Sequence, residues 1–458
     1  MKENLPRNIR GAWPEQMSRR CGRSGLVWVR GGLGLLALLV SCGRSPLLPG
    51  MRMSGPDGAP ETRSPRDEAA DAGRDLAGRR ACRWAGFAPQ TTYPGSGQVL
   101  AAVDIKVVDV NGDGHLDLVQ ALWRMPNNRG DVGASVYLNR GDGTFATAIT
   151  YAGDIQAQSV AAADFNGDGR PDLALLNGIY DLDILINQGD GRFAPFVTRA
   201  APSSAVVMAA ADLDGDGRMD LAVTTQNQGL DILLGQGDGS FAAPVTYPAG
   251  HIVDAIVVSD LDLDGHPDIA VSSTSFPPGA GLPTSLGEGA VDIYLNRGDG
   301  TFAPRVSYPA GKGTVTIAVA DFNGDGAPDL AAGNTTDNTV SVFFNEGRGT
   351  FGQQITYEGF GGVSFGRVLS GVIGGLEAAD FDGDGHADLA VVGTADNMQG
   401  SIKLLTNAGD GRLLATATYA LSSDPTACAA ADLNLDGLPD LVVILDDNTT
   451  GVILSTCE

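Results

Sequence analysis

A nine-residue acidic pattern recurs along this chain and supplies the ligand types that calcium prefers. In the stretch ADFNGDGRPDL, residues 163–173, side-chain oxygens stand at relative positions 1, 3, 5 and 9. A D-x-[DN]-x-[DN]-G loop bends back on itself, so the side chains at positions 1, 3 and 5 converge, and glycine permits the bend. A tight polar turn alone would explain the glycines, but it gives no reason for the aspartate at position 9. The pattern therefore predicts a calcium-binding loop.

The pattern is complete in seven copies. Position 7 varies among His, Arg, Ala and Leu, which a backbone ligand would allow and a side-chain ligand would not. Positions 1, 3, 5, 7 and 9 are, loop by loop, Asp109, Asn111, Asp113, His115 and Asp117; Asp164, Asn166, Asp168, Arg170 and Asp172; Asp212, Asp214, Asp216, Arg218 and Asp220; Asp260, Asp262, Asp264, His266 and Asp268; Asp321, Asn323, Asp325, Ala327 and Asp329; Asp380, Asp382, Asp384, His386 and Asp388; and Asp432, Asn434, Asp436, Leu438 and Asp440.

The chemistry of these loops favours calcium over other ions. Three or four carboxylates in each loop would repel one another without a cation. Transition metals are not expected, because no Cys or His side chains converge in the pattern. Leu263 and Leu435 stand where the other five loops have glycine. We therefore expect the calcium affinity of the fourth and seventh loops to differ from that of the rest.

The spacing of the loops predicts the architecture. Successive loops begin 55, 48, 48, 61, 59 and 52 residues apart, and periods near 50 indicate a repeat protein. Each unit has a run of small residues, the acidic loop, an apolar run, an alternating run, a Gly-Asp-Gly turn and a Phe/Tyr segment. Four short strands with turns between them make one antiparallel sheet, and seven such sheets in radial array make a propeller. The fold class predicted is all-β, a seven-bladed β-propeller of four-stranded antiparallel blades.

The repeat resembles a known family. DFNGDGRPDLAL together with NRGDGTFAPRVSYPAG is similar to the FG-GAP/VCBS repeat of integrin α-chain propellers, and the resemblance covers residues 83–458. It implies that position 7 offers its backbone carbonyl, that the position-9 aspartate closes the cage, and that up to seven structural Ca²⁺ ions are bound. It also implies that the face opposite the calcium loops engages partners.

The two ends of the repeat region predict how the ring closes. The last repeat stops at GVILSTCE, after its third strand, and the missing fourth-strand segment is found near the other end, in GFAPQTTYPGSG, residues 86–97. The N-terminal strand should therefore complete the last blade and remove the open sheet edges. Cys82 and Cys457 fall at the same turn of the repeat, so we expect a disulfide between them, with two unpaired thiols as the alternative. Cys428 is expected to be a small buried apolar residue.

The N-terminal segment predicts export. An apolar run at 32–42 follows Arg19, Arg20 and Arg23, and it is too short to span a bilayer. It ends in Leu-Val-Ser-Cys, which resembles the bacterial lipobox and implies lipidation of Cys42. We expect a signal peptide at 1–42, a flexible tether at 43–81 and the propeller at 82–458; a plain secretory signal or an uncleaved anchor are the alternatives. The predicted location is the bacterial cell envelope, periplasmic or surface-exposed, or outside the cell, with membrane contact only through the lipid anchor.

Charge and the lack of a catalytic set argue for a binding protein. With 30 Lys and Arg against 55 Asp and Glu, the net charge of −25 argues against nucleic acid as a partner. GVSFG at 362–366 matches G-x-S-x-G but lies in a glycine-rich stretch of an all-β chain, without a partner histidine. We therefore expect no enzyme activity, although a carboxylate-based glycan-cleaving enzyme stays an alternative.

The expected function is a monomeric binding or adhesion module for a glycan or protein ligand; the other alternative is a scaffold subunit of an envelope complex. Long loops on a rigid scaffold usually carry recognition. The expected contact surface comprises Ser273–Gly289, Glu358–Gly374, Met125–Gly133 and His251. Tyrosines recurring at the ends of the fourth strands either pack between blades or form sugar-stacking platforms. The Arg-Gly-Asp triplets at 140–142 and 297–299 belong to the recurrent turn.

Overall fold

A computed structural model describes two units of the chain, Met1–Ala81 and Cys82–Glu458. The described residues are 27–30, 35–38, 84–95, 100–124, 133–151, 157–177, 181–226, 229–250, 252–275, 287–358, 375–394 and 400–457. In the first unit they form one antiparallel hairpin of β1 (Val27–Arg30) and β2 (Leu35–Leu38), inside the predicted signal segment. The predicted lipidation site Cys42 and the tether at 43–81 lie outside the described residues. None of the described segments is a helix with the length and apolarity needed to cross a membrane.

The second unit contains seven antiparallel sheets of four strands each, as the repeats predict. The innermost strands are β5 (Leu100–Val108), β9 (Ala157–Ala163), β13 (Ala205–Ala211), β17 (Ile252–Ser259), β21 (Thr314–Ala320), β25 (Leu376–Ala379) and β29 (Pro425–Ala431). The second strands are β6 (Asp117–Arg124), β10 (Asp172–Asn177), β14 (Asp220–Thr225), β18 (Asp268–Thr274), β22 (Asp329–Asn334), β26 (Asp388–Thr394) and β30 (Asp440–Leu445).

The outer half of each blade completes the sheet. The third strands are β7 (Ala134–Tyr137), β11 (Asp181–Leu185), β15 (Gly229–Leu233), β19 (Glu288–Tyr294), β23 (Thr339–Phe343), β27 (Gly400–Asn407) and β31 (Thr449–Ile453). The fourth strands are β8 (Ile149–Tyr151), β12 (Val197–Ala200), β16 (Val245–Pro248), β20 (Val306–Lys312), β24 (Ile355–Tyr357), β28 (Leu413–Ala420) and, for the last blade, β4 (Thr91–Pro94). An additional pair, β3 (Trp84–Phe87) with β32 (Ser455–Cys457), extends the closure.

The residue types follow from the place of each strand in the ring. Neighbouring inner strands contact one another around the whole ring, including β29 with β5. Small side chains such as those of the VVMAAA run of β13 suit strands that crowd around an axis. Second strands are flanked by blades on both faces, and β14, β18, β22 and β30 are buried at every position. Their sequences therefore read as continuous runs that are mostly apolar.

The hydrophobic core lies between the blades. Within the described residues it divides into seven clusters, one at each junction between neighbouring sheets. At the junction of the second and third blades, Leu176 and Ile184 pack with Met208, Leu221 and Val223. At the closing junction, Leu118 of the first blade packs with side chains of the seventh. Among the described residues, each blade thus buries its apolar surface against its two neighbours.

The recurrent tyrosines pack between blades. Tyr247 of blade three lies edge-on to Phe302 of blade four at 5.5 Å between ring centroids, and its hydroxyl accepts the Phe302 N–H at 3.2 Å. The junctions of Tyr93 with Phe145 and of Tyr308 with Phe351 repeat both contacts. Because rings and hydroxyls are both engaged, these residues serve packing rather than sugar stacking. Arg199 takes the equivalent place in blade two.

The N-terminal strand completes the last blade, as predicted. β4 pairs antiparallel with β31, with Thr91 opposite Val452 and Pro94 opposite Thr449. In the β3–β32 pair, Trp84 stands opposite Cys457. Cys457 is disulfide-bonded, whereas Cys82 lies outside the described residues, so the Cys82–Cys457 pairing stays a prediction. Cys428 is a free cysteine that is only partly buried.

Candidate metal centre

Each acidic loop begins directly after an inner strand and is shaped by the aspartate at position 1. One oxygen of this carboxylate accepts the N–H of position 6 at 2.7–2.9 Å in all seven loops. In four loops the other oxygen accepts the N–H of the glycine at position 4 at 2.7–2.8 Å. Position 4 has a left-handed backbone, with φ of 76° at Gly112. Leu263 and Leu435 adopt this conformation as well, with φ of 62° and 57°, so their loops keep the same backbone path.

The position-9 aspartate opens the second strand and lies in the interior. All seven of these residues are at most 1% exposed. One oxygen accepts the N–H of position 2 of the same loop, at 2.7–3.2 Å. The other accepts a backbone N–H at or just after the end of the third strand, at 2.7–2.8 Å. This carboxylate therefore ties the acidic loop to the third strand, and that role alone explains its recurrence without any metal.

In the three loops that have aspartate at position 3, the carboxylates at positions 1, 3 and 9 converge. These carboxylates each place an oxygen within 4.8 Å of the others, in the groups Asp212, Asp214 and Asp220; Asp260, Asp262 and Asp268; and Asp380, Asp382 and Asp388. Hard oxygen donors converging on one point fit Ca²⁺ rather than a soft metal.

The remaining loop positions lie beside this cluster. The position-5 carboxylate accepts the N–H of position 7, as in the bond from His266 to Asp264 at 2.9 Å. Arg170 and Arg218 at position 7 pair with the position-5 aspartates of their own loops. The histidines at position 7 cover the glycine of the Gly-Asp-Gly turn. Gly298 lies under the His266 ring and has a φ of 77°, the left-handed conformation that explains why that turn needs glycine. The predicted metal contact of the position-7 carbonyls stays a prediction.

The electrostatics of the position-9 residues match a cation site. Burial, with a smaller contribution from neighbouring loop aspartates, raises the pKa of Asp117, Asp172, Asp220, Asp268 and Asp329 to about 6. Burial also raises the pKa of Asp388 and Asp440 to about 7. A divalent cation would favour the ionised carboxylates and offset both effects.

An asparagine that sequence reasoning missed holds neighbouring blades together beside each centre. Asn296 Nδ2 donates to Pro267 O in its own blade at 2.9 Å and to Leu213 O of the preceding blade at 2.8 Å. The same two bonds are made by Asn139, Asn187, Asn345 and Asn407. The recurrence of asparagine just before the Gly-Asp-Gly turn is the sequence feature that could have identified this role. Blades three and seven carry Gly235 and Ser455 instead.

The Arg-Gly-Asp triplets of this turn are structural. Arg140 and Arg297 each donate from Nη1 to a backbone oxygen of their own turn, that of Phe145 and Phe302. The contact surface expected from sequence falls mainly outside the described residues: 125–132, His251, 276–286 and 359–374.

A second group of charged residues, also missed from the sequence, lines the inner strands. Asp104 of blade one accepts Lys106 Nζ at 2.9 Å and, across the junction, Ser159 Oγ at 2.9 Å. Glu377 of blade six lies 3.8 Å from the Cys428 sulfur of blade seven. Cys428 is therefore a polar contact and not simply the buried apolar residue that was expected. Burial raises the pKa of Glu377 to about 7, and Lys106 offsets the shift only in part.

We expect Glu377→Gln to remove a pH-dependent loss in the free energy of unfolding. Because the pKa of Glu377 in the folded protein is raised above the ordinary glutamate value of 4.5, the free energy of unfolding should fall as pH rises from about 4.5 to about 7 and level off above that. The glutamine variant should match the parent near pH 4.5 and be more stable by roughly 2 kcal/mol at pH 8. Urea unfolding of both proteins across this range is the measurement. Glu346→Gln, at an exposed glutamate in the turn of blade five, is the control; identical curves for all three proteins would contradict the desolvation of Glu377.

Comparison with known proteins agrees with this architecture. Residues 109–175, 164–223, 212–271, 284–332, 321–391 and 380–443 match the FG-GAP-like repeat. No curated protein matches the chain by sequence. Among solved structures, BBS1N in complex with ARL6DN, soaked with lead, superposes with a TM-score of 0.54 at 14% identity, over 82% of this chain and 99% of that chain. The BP39L lectin from Burkholderia pseudomallei superposes with a TM-score of 0.54 at 14% identity, over 80% of this chain and 97% of that chain. At such identities these likenesses show the fold.

Proposed function

We propose, from the premise that this chain belongs to the FG-GAP-like repeat family, that it is an exported, calcium-stabilised binding module for a glycan or protein ligand. The observation that best supports this proposal is that the two faces of the propeller carry different kinds of loops. All seven acidic loops join an inner strand to a second strand, so they share one face with the turns between third and fourth strands. The carboxylates of the acidic loops are engaged in the backbone hydrogen bonds that hold the blades together.

The opposite face is left for recognition. It carries the connections between second and third strands and those between blades. Two of these connections are long, between β18 and β19 and between β24 and β25. The structural neighbours include a lectin and a propeller in complex with another protein. Both kinds of partner suit a rigid ring that presents variable loops.

Calcium is assigned a structural role in this proposal. Positions 1, 3 and 9 of the loops would hold the ion, with position 5 beside them, and up to seven ions would be bound. Each ion would supply positive charge where three or four carboxylates meet. The chain's own residues set the loop backbone, through the position-1 and position-9 hydrogen bonds described above.

We further propose that the chain acts without catalysis. His115, His266 and His386 all lie at position 7, against the turns of their own blades, and the loop aspartates have structural partners. The proposed location is the cell envelope, held by a lipid on Cys42. A scaffold subunit is the second candidate, favoured by the likeness to BBS1N in its complex.

The test is a glycan array probed with residues 82–458, in calcium and in chelator. We expect calcium-dependent binding to one class of sugar. A variant with residues 276–286 replaced by a short Gly-Ser linker should lose that binding while its thermal melt stays unchanged. A blank array from folded protein would reject the sugar ligand, and crosslinking at the cell envelope would then identify a protein partner. Failure of both would reject the binding module.

A further inference from the structure

A buried carboxylate without a partner lies in the groove between blades two and three. Asp231, the third residue of β15, is only 6% exposed. Its Oδ1 is buried and has no hydrogen-bond partner, and no described residue forms an ion pair with this carboxylate. Buried charges are normally paired, because removing a carboxylate from water without compensation is costly. Asp231 therefore lacks the partner group that its position calls for.

The register of the strands shows where this carboxylate points. Asp231 stands opposite Val223 of β14 and Thr246 of β16, and directly opposed residues share one face of a sheet. Val223 belongs to the core cluster between blades two and three, so the Asp231 side chain faces the same junction. Thr246, and Pro244 two residues before it, are both exposed. The groove beside the carboxylate is therefore open to solvent at its outer edge.

Blade four shows which group suits this position. Asp292 is the equivalent residue of β19; it stands opposite Ser307 and is fully buried. Arg305, in the place that Pro244 takes in blade three, donates from Nη1 to Asp292 Oδ1 at 2.9 Å. The two side chains are diagonal neighbours on adjacent strands, which long side chains can bridge. A guanidinium is thus the partner that this fold supplies to a third-strand aspartate where its own sequence contains one.

The remaining blades do not repeat the situation of blade three. Asp183 of blade two is 2% exposed, but one of its oxygens accepts the Thr198 hydroxyl at 2.7 Å. The other four blades have no carboxylate at this position, where the residues are Ser135, Ser341, Lys403 and Gly451. In the described part of the chain, Asp231 is therefore the aspartate of this position that binds neither a hydroxyl nor a guanidinium.

One cation of the chain itself faces the same junction. Arg199 stands opposite Leu182, which belongs to the cluster between blades two and three, and its buried Nε has no hydrogen-bond partner. Its charge acts on the turn of blade three: hydrogen bonds from Ser240 are the main cause of the lowered pKa of Asp238, and Arg199 adds to them. The guanidinium of Arg199 is thus directed towards this turn and leaves Asp231 unpaired.

We propose that the groove between blades two and three binds an arginine side chain of a protein partner, whose guanidinium pairs with Asp231 as Arg305 pairs with Asp292. Charge favours such a partner, since 55 acidic against 30 basic residues attract a basic segment. Arginine suits a carboxylate better than lysine does, because its planar fork can donate two parallel hydrogen bonds. This contact is additional to the proposed ligand site, because strands form the groove, whereas loops of the opposite face form that site.

Fluorescence anisotropy with a labelled peptide of alternating glycine and arginine tests the groove. The protein is residues 82–458, which contain all seven core clusters and both strands of the closing pair, in excess calcium and about 0.15 M NaCl to screen unspecific attraction. We expect binding that free methylguanidinium displaces, and roughly threefold or more weaker binding of the matching lysine peptide. Asp231→Asn should weaken binding of the arginine peptide by roughly tenfold or more. Its thermal stability should stay equal or rise, because asparagine carries no charge to bury.

Pro244→Arg is the second variant, because it gives blade three the guanidinium that blade four has. It should fill the groove from within, so that the arginine peptide binds as weakly as to Asp231→Asn although the aspartate is intact. Asp190→Asn is the matched control, since it removes one charge from an exposed turn of blade two, and it should bind the peptide like the parent.

Parent protein that does not bind the arginine peptide would overturn the proposal. So would an Asp231→Asn or Pro244→Arg variant that binds it as the parent does, or a lysine peptide that binds equally well. The glycan array reads the proposed function separately, since it tests the loops of the opposite face and none of these variants changes them.

Discussion

Asp268→Ala should unfold blade four or destabilise the protein severely, whereas Asp264→Ala, four residues earlier in the same loop, should leave the fold intact. Asp268 is fully buried and accepts three backbone N–H groups, from Leu261, Asp262 and Asn296, at 2.7–3.2 Å. Removing the carboxylate leaves these buried donors without partners, at a cost of roughly 4 kcal/mol. That is a large part of the 5–15 kcal/mol by which a domain is typically stable. Asp264 is exposed and accepts only a loop N–H.

The measurement is the unfolding midpoint of both variants, in excess calcium and in chelator. Because the hydrogen bonds of Asp268 exist without an ion, its deficit should persist in chelator. The deficit of Asp264→Ala should be small and should vanish there. Equal deficits in calcium that both disappear on chelation would mean that position 9 acts only as a metal ligand. Asp268→Asn, which keeps one acceptor oxygen and the shape, should fall between the parent and the alanine variant.

Calcium removal should lower the melting temperature by about 10 °C or more. An ion at a hundredfold excess over its dissociation constant stabilises the folded state by about 2.7 kcal/mol per site, and the three loops with converging carboxylates alone would contribute several times the effect of an average mutation. In these loops the carboxylates of Asp212, Asp260 and Asp380 each place an oxygen within 4.8 Å of oxygens from two other loop carboxylates. Differential scanning calorimetry in calcium and in chelator gives the shift directly.

Magnesium is the control for this second prediction. It demands near-octahedral geometry and dehydrates reluctantly, so it should recover little of the stability lost on chelation. Asp212→Ala should reduce the calcium-dependent shift by one site, and Asp214→Asn, which recreates the asparagine of four other loops, should reduce it less. Melting curves that coincide with and without calcium would reject the structural role of the ion.

The repeat made most of the architecture predictable. Seven loops of the same acidic pattern fix where each inner strand ends and where each second strand begins, because the position-9 aspartate is the first residue of β6, β10 and their equivalents. The unfinished last repeat placed β4 in blade seven, and BP39L and BBS1N share the overall fold. These features follow from local pattern, which survives in a single sequence.

The rest depends on contacts across blades, which a single sequence does not show. A buried aspartate and a metal-ligating aspartate look alike in a pattern, so the ties that Asp268 makes to the backbone were missed. Asn296 reads as a turn residue until its bond to Leu213 O of the preceding blade is seen. Glu377, Lys106 and Cys428 are far apart in sequence, and only the ring brings blades six, seven and one together. Leu263 and Leu435 were visible as departures from glycine, but their exposure was not.

The closing strand pair also determines when the ring can close during synthesis. Thr91 pairs with Val452, so β4, which is synthesised near the start of the ring, has to wait for β31, which is synthesised near its end. Until then its edge is unsatisfied, and the first and sixth blades lack one neighbour. The entropic cost of closing so long a loop rises only logarithmically with its length. The delay therefore affects the rate of folding more than the stability of the folded ring. A chain cut short anywhere before β31 would lack the partner of β4 and keep an open ring with a free edge.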